Sequence, residues 1–223
     1  MHKFAQKFAD FCEGNQRIDL TQAENYNYPS LPICLIDCVY SLRAKYVVVT
    51  SPIVERYKEF VKQQGLDLEN DTISKFLENV ECFGGIQKFG HEILKSQSKL
   101  GGSAKIPKEQ VVYKIAEYLK ALRIETIQDF RNFENQELLS VVLFGVRGLN
   151  AAGVNYLFML CGDSDRCKPD THVHHAIKDA CNQDVSDEEC QEVFADAVTI
   201  LRKSYPTLTV RQLDGIIWSA YRA

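Results

Sequence analysis

The sequence predicts an all-α protein. Apolar residues recur at helical spacing along most of the chain, no repeat of about 20–50 residues marks a solenoid, and a single short run is rich in β-branched residues. Phe4, Phe8, Phe11 and Cys12 form the first stripe. From Ile33 to Tyr40 the chain is apolar on nearly every side, interrupted by Asp37, which predicts a central helix. Cys34 and Cys38, one turn apart in it, read as packing residues. Tyr46 to Thr50 is the β-branched run; with no partner it could not stand as a lone strand, so it reads as an extended linker or a distorted helical turn. Ser96 to Lys105, rich in Gly, Ser and Lys, reads as a mobile loop. Pro107 then stands at the first turn of a helix carrying Val111, Val112, Ile115, Leu119 and Leu122. Leu138, Leu139, Val142, Leu143 and Val146 make the next stripe, and Val154 to Cys161 a second central helix. Phe194, Ala197, Val198 and Leu201, then Leu213, Ile216, Ile217, Ala220 and Tyr221, complete the set.

Composition excludes several classes. With 223 residues, 45% hydrophobic and 25% charged, the chain is long enough to bury a core without disulfide or metal staples. No apolar stretch approaches the roughly 20 residues of a membrane span, and the charged amphipathic start has no signal-peptide core. The expected location is intracellular, cytoplasmic or nucleoid/nuclear. Eight cysteines with no C-x-x-C pair give neither a zinc knuckle nor an iron–sulfur loop, and a reduced compartment accounts for them. The net charge of −4 offers no global attraction for nucleic acid. Residues 83–123 nevertheless hold eight Lys or Arg against three Glu. That excess could bind phosphates locally, or simply face solvent.

Chemistry concentrates between Gly145 and Val173. An apolar helix ends near Val146, a tight turn follows at Gly148-Leu149-Asn150, and a second helix starts at Ala151. Gly148 and Asn150 are residue types that tolerate positive φ, and Leu149 between them can plug the core. This is a helix–hairpin–helix, and the free amides and dipole of its second helix suit one phosphate. Downstream, Lys168-Pro169-Asp170-Thr171-His172 leads into another helix with Asp170 at the N-cap. As a plain cap Asp170 would contribute about 1 kcal/mol.

The turn, the apolar second helix and the Pro-Asp-Thr-His-Val run resemble the helix-hairpin-helix DNA glycosylase superfamily (the endonuclease III-like group), most closely over residues 138–178. The spacing from Gly148 to Asp170 fits that family; counting from Gly145 leaves three residues too many. The resemblance extends more weakly to Leu31–Tyr46 and to the ending Leu213 to Arg222. It implies a two-lobed fold, one lobe from residues 1–51 with 146–223 and the other from 52–145. It also implies that Asp170 is the catalytic carboxylate, stabilising an oxocarbenium-like sugar and orienting the attacking water.

Two departures from the family pattern sharpen the expectation. Ala152 occupies the position of the Schiff-base lysine, which implies a monofunctional glycosylase that leaves the abasic strand uncut. Only Cys181 and Cys190 follow the catalytic helix, so no iron–sulfur cluster and no cofactor is expected. A metal site pairing Asp170 with His174 is set aside, because His172 belongs to the family's helix motif; no metal is expected.

Arg147, the amides of Gly148, Asn150, Ala151 and Gly153, and Lys168 are the expected phosphate contacts. Tyr26, Tyr28, Tyr40 and Trp218 are candidates to stack a flipped base, with core packing as the plainer role for each. Ser41, Leu42 and Arg43 occupy the stretch where relatives wedge into the duplex. The expected partner is double-stranded DNA with a damaged or modified base, bound by a monomer away from any membrane. The rival expectation is a non-catalytic module of the same fold that binds DNA or protein.

Overall fold

In the computed structural model, which describes residues 1–22, 27–101 and 105–222, the chain is all-α apart from one two-residue strand pair. It divides into two compact units, Met1–Tyr26 with Gly162–Ala223 and Asn27–Cys161. The sequence reading drew these boundaries at 51/52 and 145/146, and the difference has a physical cause. The all-round apolar helix α2 (Leu31–Ser41) buries every residue against α3 (Ser51–Gln63), α6 (Lys108–Ala121) and α9 (Ala151–Leu160). That packing holds 27–51 and 146–161 in the larger unit.

Within this unit α2 starts behind Ser30, with Pro32 in its first turn, where a missing N–H costs nothing. Its C-terminal carbonyls are satisfied by a buried lysine: Lys108 Nζ donates to the Tyr40 and Leu42 oxygens at 2.9 and 2.7 Å. Tyr46–Thr50 forms one π-helical turn, the distorted-turn alternative of the sequence. Ser51 N–H closes it on the Tyr46 carbonyl five residues back, and Pro52, with no N–H to give, begins α3 immediately after. Val47 and Val48 are left exposed.

Behind α2 lie α4 (Ile73–Cys82) and α5 (Ile86–Glu92). Phe89 of α5 meets Tyr57, Phe60, Phe76 and Phe83 edge-on, with ring centroids 5.2–6.3 Å apart. The segment read as a loop instead contributes β1 (Lys99–Leu100), antiparallel to β2 (Ile106–Pro107) with Leu100 opposite Ile106; its positions 102–104 lie outside the described residues. Leu100 anchors the pair by being buried. The unit closes with α7 (Ile127–Asn132), α8 (Gln136–Phe144) and α9.

The smaller unit is helical throughout, from α1 (Ala5–Gly14), α10 (Thr171–Cys181), α11 (Asp187–Leu201) and α12 (Val210–Tyr221). Phe8 of α1 packs on Phe194 of α11 at 5.0 Å, and α12 lies on α10 and α11. Capping boxes start α11 (Ser186 with Glu189) and α12 (Thr209 with Gln212), each satisfying two first-turn or cap amides reciprocally. Cys12, Cys167, Cys181 and Cys190 are buried here as small apolar groups. Among the described residues no helix is long and apolar enough to cross a membrane.

Candidate active site

Asp170 is the N-cap of α10, in extended conformation after Pro169. Its Oδ1 accepts both first-turn amides, from His172 at 2.8 Å and Val173 at 3.3 Å. Oδ2 takes no hydrogen bond among the described residues. The cap therefore fixes the carboxylate while leaving one oxygen available.

The loop that delivers Asp170 is pinned at four points. Cys167 N–H donates to Gln191 Oε1 at 2.9 Å, and Gln191 Nε2 donates to the Asp165 carbonyl at 2.7 Å. Arg211 N–H donates to the Ser164 carbonyl at 3.1 Å. Lys168 N–H donates to Asp214 Oδ1 at 2.9 Å.

Asp214 is the residue that sequence reasoning missed. It stands on α12 with 8% of its surface exposed. Burial pushes its carboxyl up to about 7, the negative charge of Asp170 adds to the effect, and the Lys168 amide and ammonium oppose it. The available signal was one acid inside the apolar face of Leu213, Ile216 and Ile217. One turn further along α12, Trp218 is half-buried, with the Arg222 guanidinium 4.4 Å over its ring.

In the larger unit α8 and α9 are joined by the turn 145–150. Gly148 adopts φ +101°, and a Cβ there would stand 2.9 Å from Leu100 Cδ1. Leu149 is buried, as its position between the two turn residues suggested. Gly153 makes room for the buried Leu149, since a Cβ would meet Leu149 Cδ1 at 2.6 Å unless that side chain shifted. Asn150 does not use its tolerance of positive φ: its φ is −110°, and it serves as the N-cap of α9, accepting from the Gly153 amide at 3.0 Å. That bond also occupies the Gly153 N–H, which leaves Ala151 and Ala152 as the first-turn amides of α9 before the helical ladder begins. Arg147 is exposed, and Lys168 is half-buried.

The expected pocket residues divide. Tyr40 is fully buried, so its ring packs the core and is not a platform for a base. Ser41 is buried too, and its Oγ donates back to the Cys38 carbonyl at 2.9 Å. The cause is common to both: α2 is enclosed around its whole circumference. Arg43 is exposed and holds φ +53°, a conformation uncommon outside glycine. Tyr26 lies outside the described residues. Lys108, counted in the basic stretch, is internal and adds nothing to a surface charge. His174 turns to Asp187, Nε2 to Oδ1 at 2.9 Å.

One family model matches residues 6–222, nearly the whole chain. The chain belongs to the family described as Domain of unknown function (DUF8548). No curated protein and no solved structure matches it.

The DUF8548 chain holds another buried acid whose role was missed, on α2. Asp37 is fully buried and accepts three phenolic hydroxyls: Tyr46 at 2.6 Å, Tyr156 at 2.9 Å, and Tyr28. The Tyr28 and Tyr46 oxygens are themselves 3.0 Å apart. Burial and the Asp37 charge push the Tyr28 phenol far above its ordinary value. With its lone pairs well supplied, Asp37 ties α2, the π turn and α9 together. Asp170, by contrast, keeps one carboxylate oxygen without a hydrogen bond among the described residues.

Proposed function

We propose that this DUF8548 protein is a monofunctional DNA N-glycosylase of the two-lobed helix-hairpin-helix type, with Asp170 as its catalytic carboxylate. The observation that carries the reading is the cap geometry: Oδ1 is anchored by two amides, Oδ2 is unpartnered among the described residues, and the loop behind them is pinned at four points. A fixed carboxylate stabilises positive charge developing on a sugar, because its orientation needs no rearrangement as the charge appears.

In the proposed reaction the C1′–N bond breaks with its electron pair going to the departing base. Water then forms the new C1′–O bond and gives its proton to Asp170, and the base is reprotonated from solvent. Ala152 supplies no amine at the hairpin, so no imine forms and the strand stays intact. Arg147, the turn backbone at Gly148 and Asn150, the Ala151 amide and Lys168 contact phosphates. Arg43 fills the duplex, and Trp218 is the aromatic candidate for the base. The partner is duplex DNA carrying a damaged or modified base, and neither cofactor nor metal takes part.

The test is base release from a panel of lesion-bearing duplexes, followed by alkali. Asn caps a helix nearly as well as Asp, so Asp170→Asn keeps the fold and removes the charge. Breaks that require alkali and disappear in Asp170→Asn support the assignment. Unchanged release by that variant overturns it.

A second reading rests on α8, where Leu138, Val141 and Phe144 form an exposed apolar row at three-residue spacing. Such a row suits a protein-interaction module. Duplex binding without base release from any lesion would favour a non-catalytic role.

A further inference from the structure

We propose that Asp214 is the positioning residue for Asp170, fixing the approach to α10 through the Lys168 N–H and setting the charge of the site. The inference rests on the catalytic reading of Asp170 and concerns the same site. Three geometric facts carry it. Asp214 Oδ1 holds Lys168 N–H at 2.9 Å, two residues before Asp170. Arg211, three residues before Asp214 on the same helix, holds the Ser164 carbonyl at 3.1 Å, so α12 grips the loop at both ends. Finally, Asp214 is more than nine-tenths buried, and its second oxygen takes no hydrogen bond among the described residues.

The groups around Asp214 make Asp170 its chief negative neighbour. From the loop come Lys168, whose ammonium opposes the effect of Asp170, and the Cys167 thiol. Burial raises Cys167 well above its ordinary value, so it stays neutral. Burial, followed by the charges of Asp187, Glu189 and Asp170, pushes the Cys190 thiol of α11 up to about 12, so it is neutral as well. On α10, Asp170 is the N-cap and His174 is engaged by Asp187. Arg211 lies on the same helix as Asp214.

Burial and Asp170 together leave Asp214 protonated below neutral pH and ionised above about 7. The two carboxyls then have different tasks: Asp170 faces the sugar, and Asp214 sets how negative the site is. Ionisation of Asp214 adds a second negative charge behind Asp170. That charge favours a cationic transition state.

The experiment is single-turnover base release on saturating lesion duplex between pH 5.5 and 8.5, comparing wild type with Asp214→Asn. Asparagine still accepts the Lys168 N–H, so the variant removes the charge and keeps the hydrogen bond. Wild type is expected to gain about tenfold in rate across an inflection near neutrality, while Asp214→Asn stays at the slow, acid-side rate. Identical pH profiles would overturn the inference.

A second measurement reads the pair without any reaction. The Asp214 carboxyl is titrated by carbon NMR in wild type and in Asp170→Asn. A midpoint that falls when the Asp170 charge is removed upholds the coupling, and an unchanged midpoint sinks it. If wild type releases no base from any lesion, the glycosylase reading fails, and the titration still decides whether Asp214 and Asp170 act as a unit.

Discussion

Asp214→Asn should make the smaller unit less sensitive to pH, and the size of the effect follows from the site. Asp214 rises from an ordinary 3.8 to about 7 in the folded chain. Between those values the folded state keeps a proton that the unfolded chain has lost, so stability falls as pH rises. It is fully present below about 4, declines through the window, and levels off above about 7. Each unit corresponds to about 1.4 kcal/mol, which gives about 4 kcal/mol over the whole window and roughly 2–3 kcal/mol between pH 5 and pH 8. Asparagine has no proton to lose, so the variant should lack this slope.

The assay exploits the composition of the chain. Trp218 is its single tryptophan and lies on α12, one turn from Asp214. Its fluorescence during urea unfolding therefore reports the smaller unit. This matters because Asp71, in the larger unit, is also raised by burial, to about 6, and gives a slope of the same sign there. The quantity to compare is the stability difference between variant and wild type at pH 8 minus the same difference at pH 5. A gain of about 2–3 kcal/mol for the variant is expected. Parallel behaviour, with the double difference below about 0.5 kcal/mol, would mean that Asp214 is not held protonated near neutrality.

Other perturbations test the packing around the site. Phe89→Ala removes a fully buried ring from contact with four aromatic neighbours and should cost the larger unit about 3–5 kcal/mol in thermal or denaturant unfolding followed by circular dichroism. Gly148→Ala combines positive φ with the 2.9 Å approach to Leu100, and should cost about 1–3 kcal/mol. Gly65→Ala is its control, since Gly65 also has positive φ (+72°) but nothing within 4 Å of the added Cβ. Equal losses for the two glycines would show that the hairpin does not press on β1.

What the sequence disclosed is what has a local cause. The stripe from Val111 to Leu122 and that from Leu213 to Tyr221 appear as α6 and α12 because period alone determines which face is buried. Pro169-Asp170-Thr171 announces its own cap, and Gly148 its own turn. The failures are non-local. A two-residue ladder such as Lys99–Leu100 with Ile106–Pro107 has no period to detect. That Tyr40 and Ser41, candidates for the pocket and the wedge, are both enclosed depends on α2 being covered on all sides, which a sequence does not show. Lys108 belongs to a basic stretch in the sequence, yet its ammonium is internal, on the α2 carbonyls. Asp37 draws one of its tyrosines, Tyr156, from 119 positions away.

Asp37 and Asp214, two of the buried aspartates, set out a physical contrast that can be measured. At Asp37 the chain gathers three hydroxyl donors around one carboxylate, so burial is compensated by hydrogen bonds. At Asp214 it supplies one amide and places another acid nearby, so burial is compensated by a retained proton. The same substitution should then act in opposite directions. Asp37→Asn exchanges an acceptor oxygen for an N–H₂ that faces phenolic protons, leaving at least one buried hydroxyl without its acceptor. The cost should be about 1–3 kcal/mol to the larger unit, and it should persist from pH 5 to pH 8. Asp214→Asn, by contrast, should grow more favourable to the smaller unit as pH rises. A carboxylate crowded with donors is a pin, whereas one starved of them beside a second carboxylate is poised to change charge. If both substitutions destabilise equally at every pH, Asp214 is a pin as well, and the assignment of separate roles to Asp170 and Asp214 loses its physical basis.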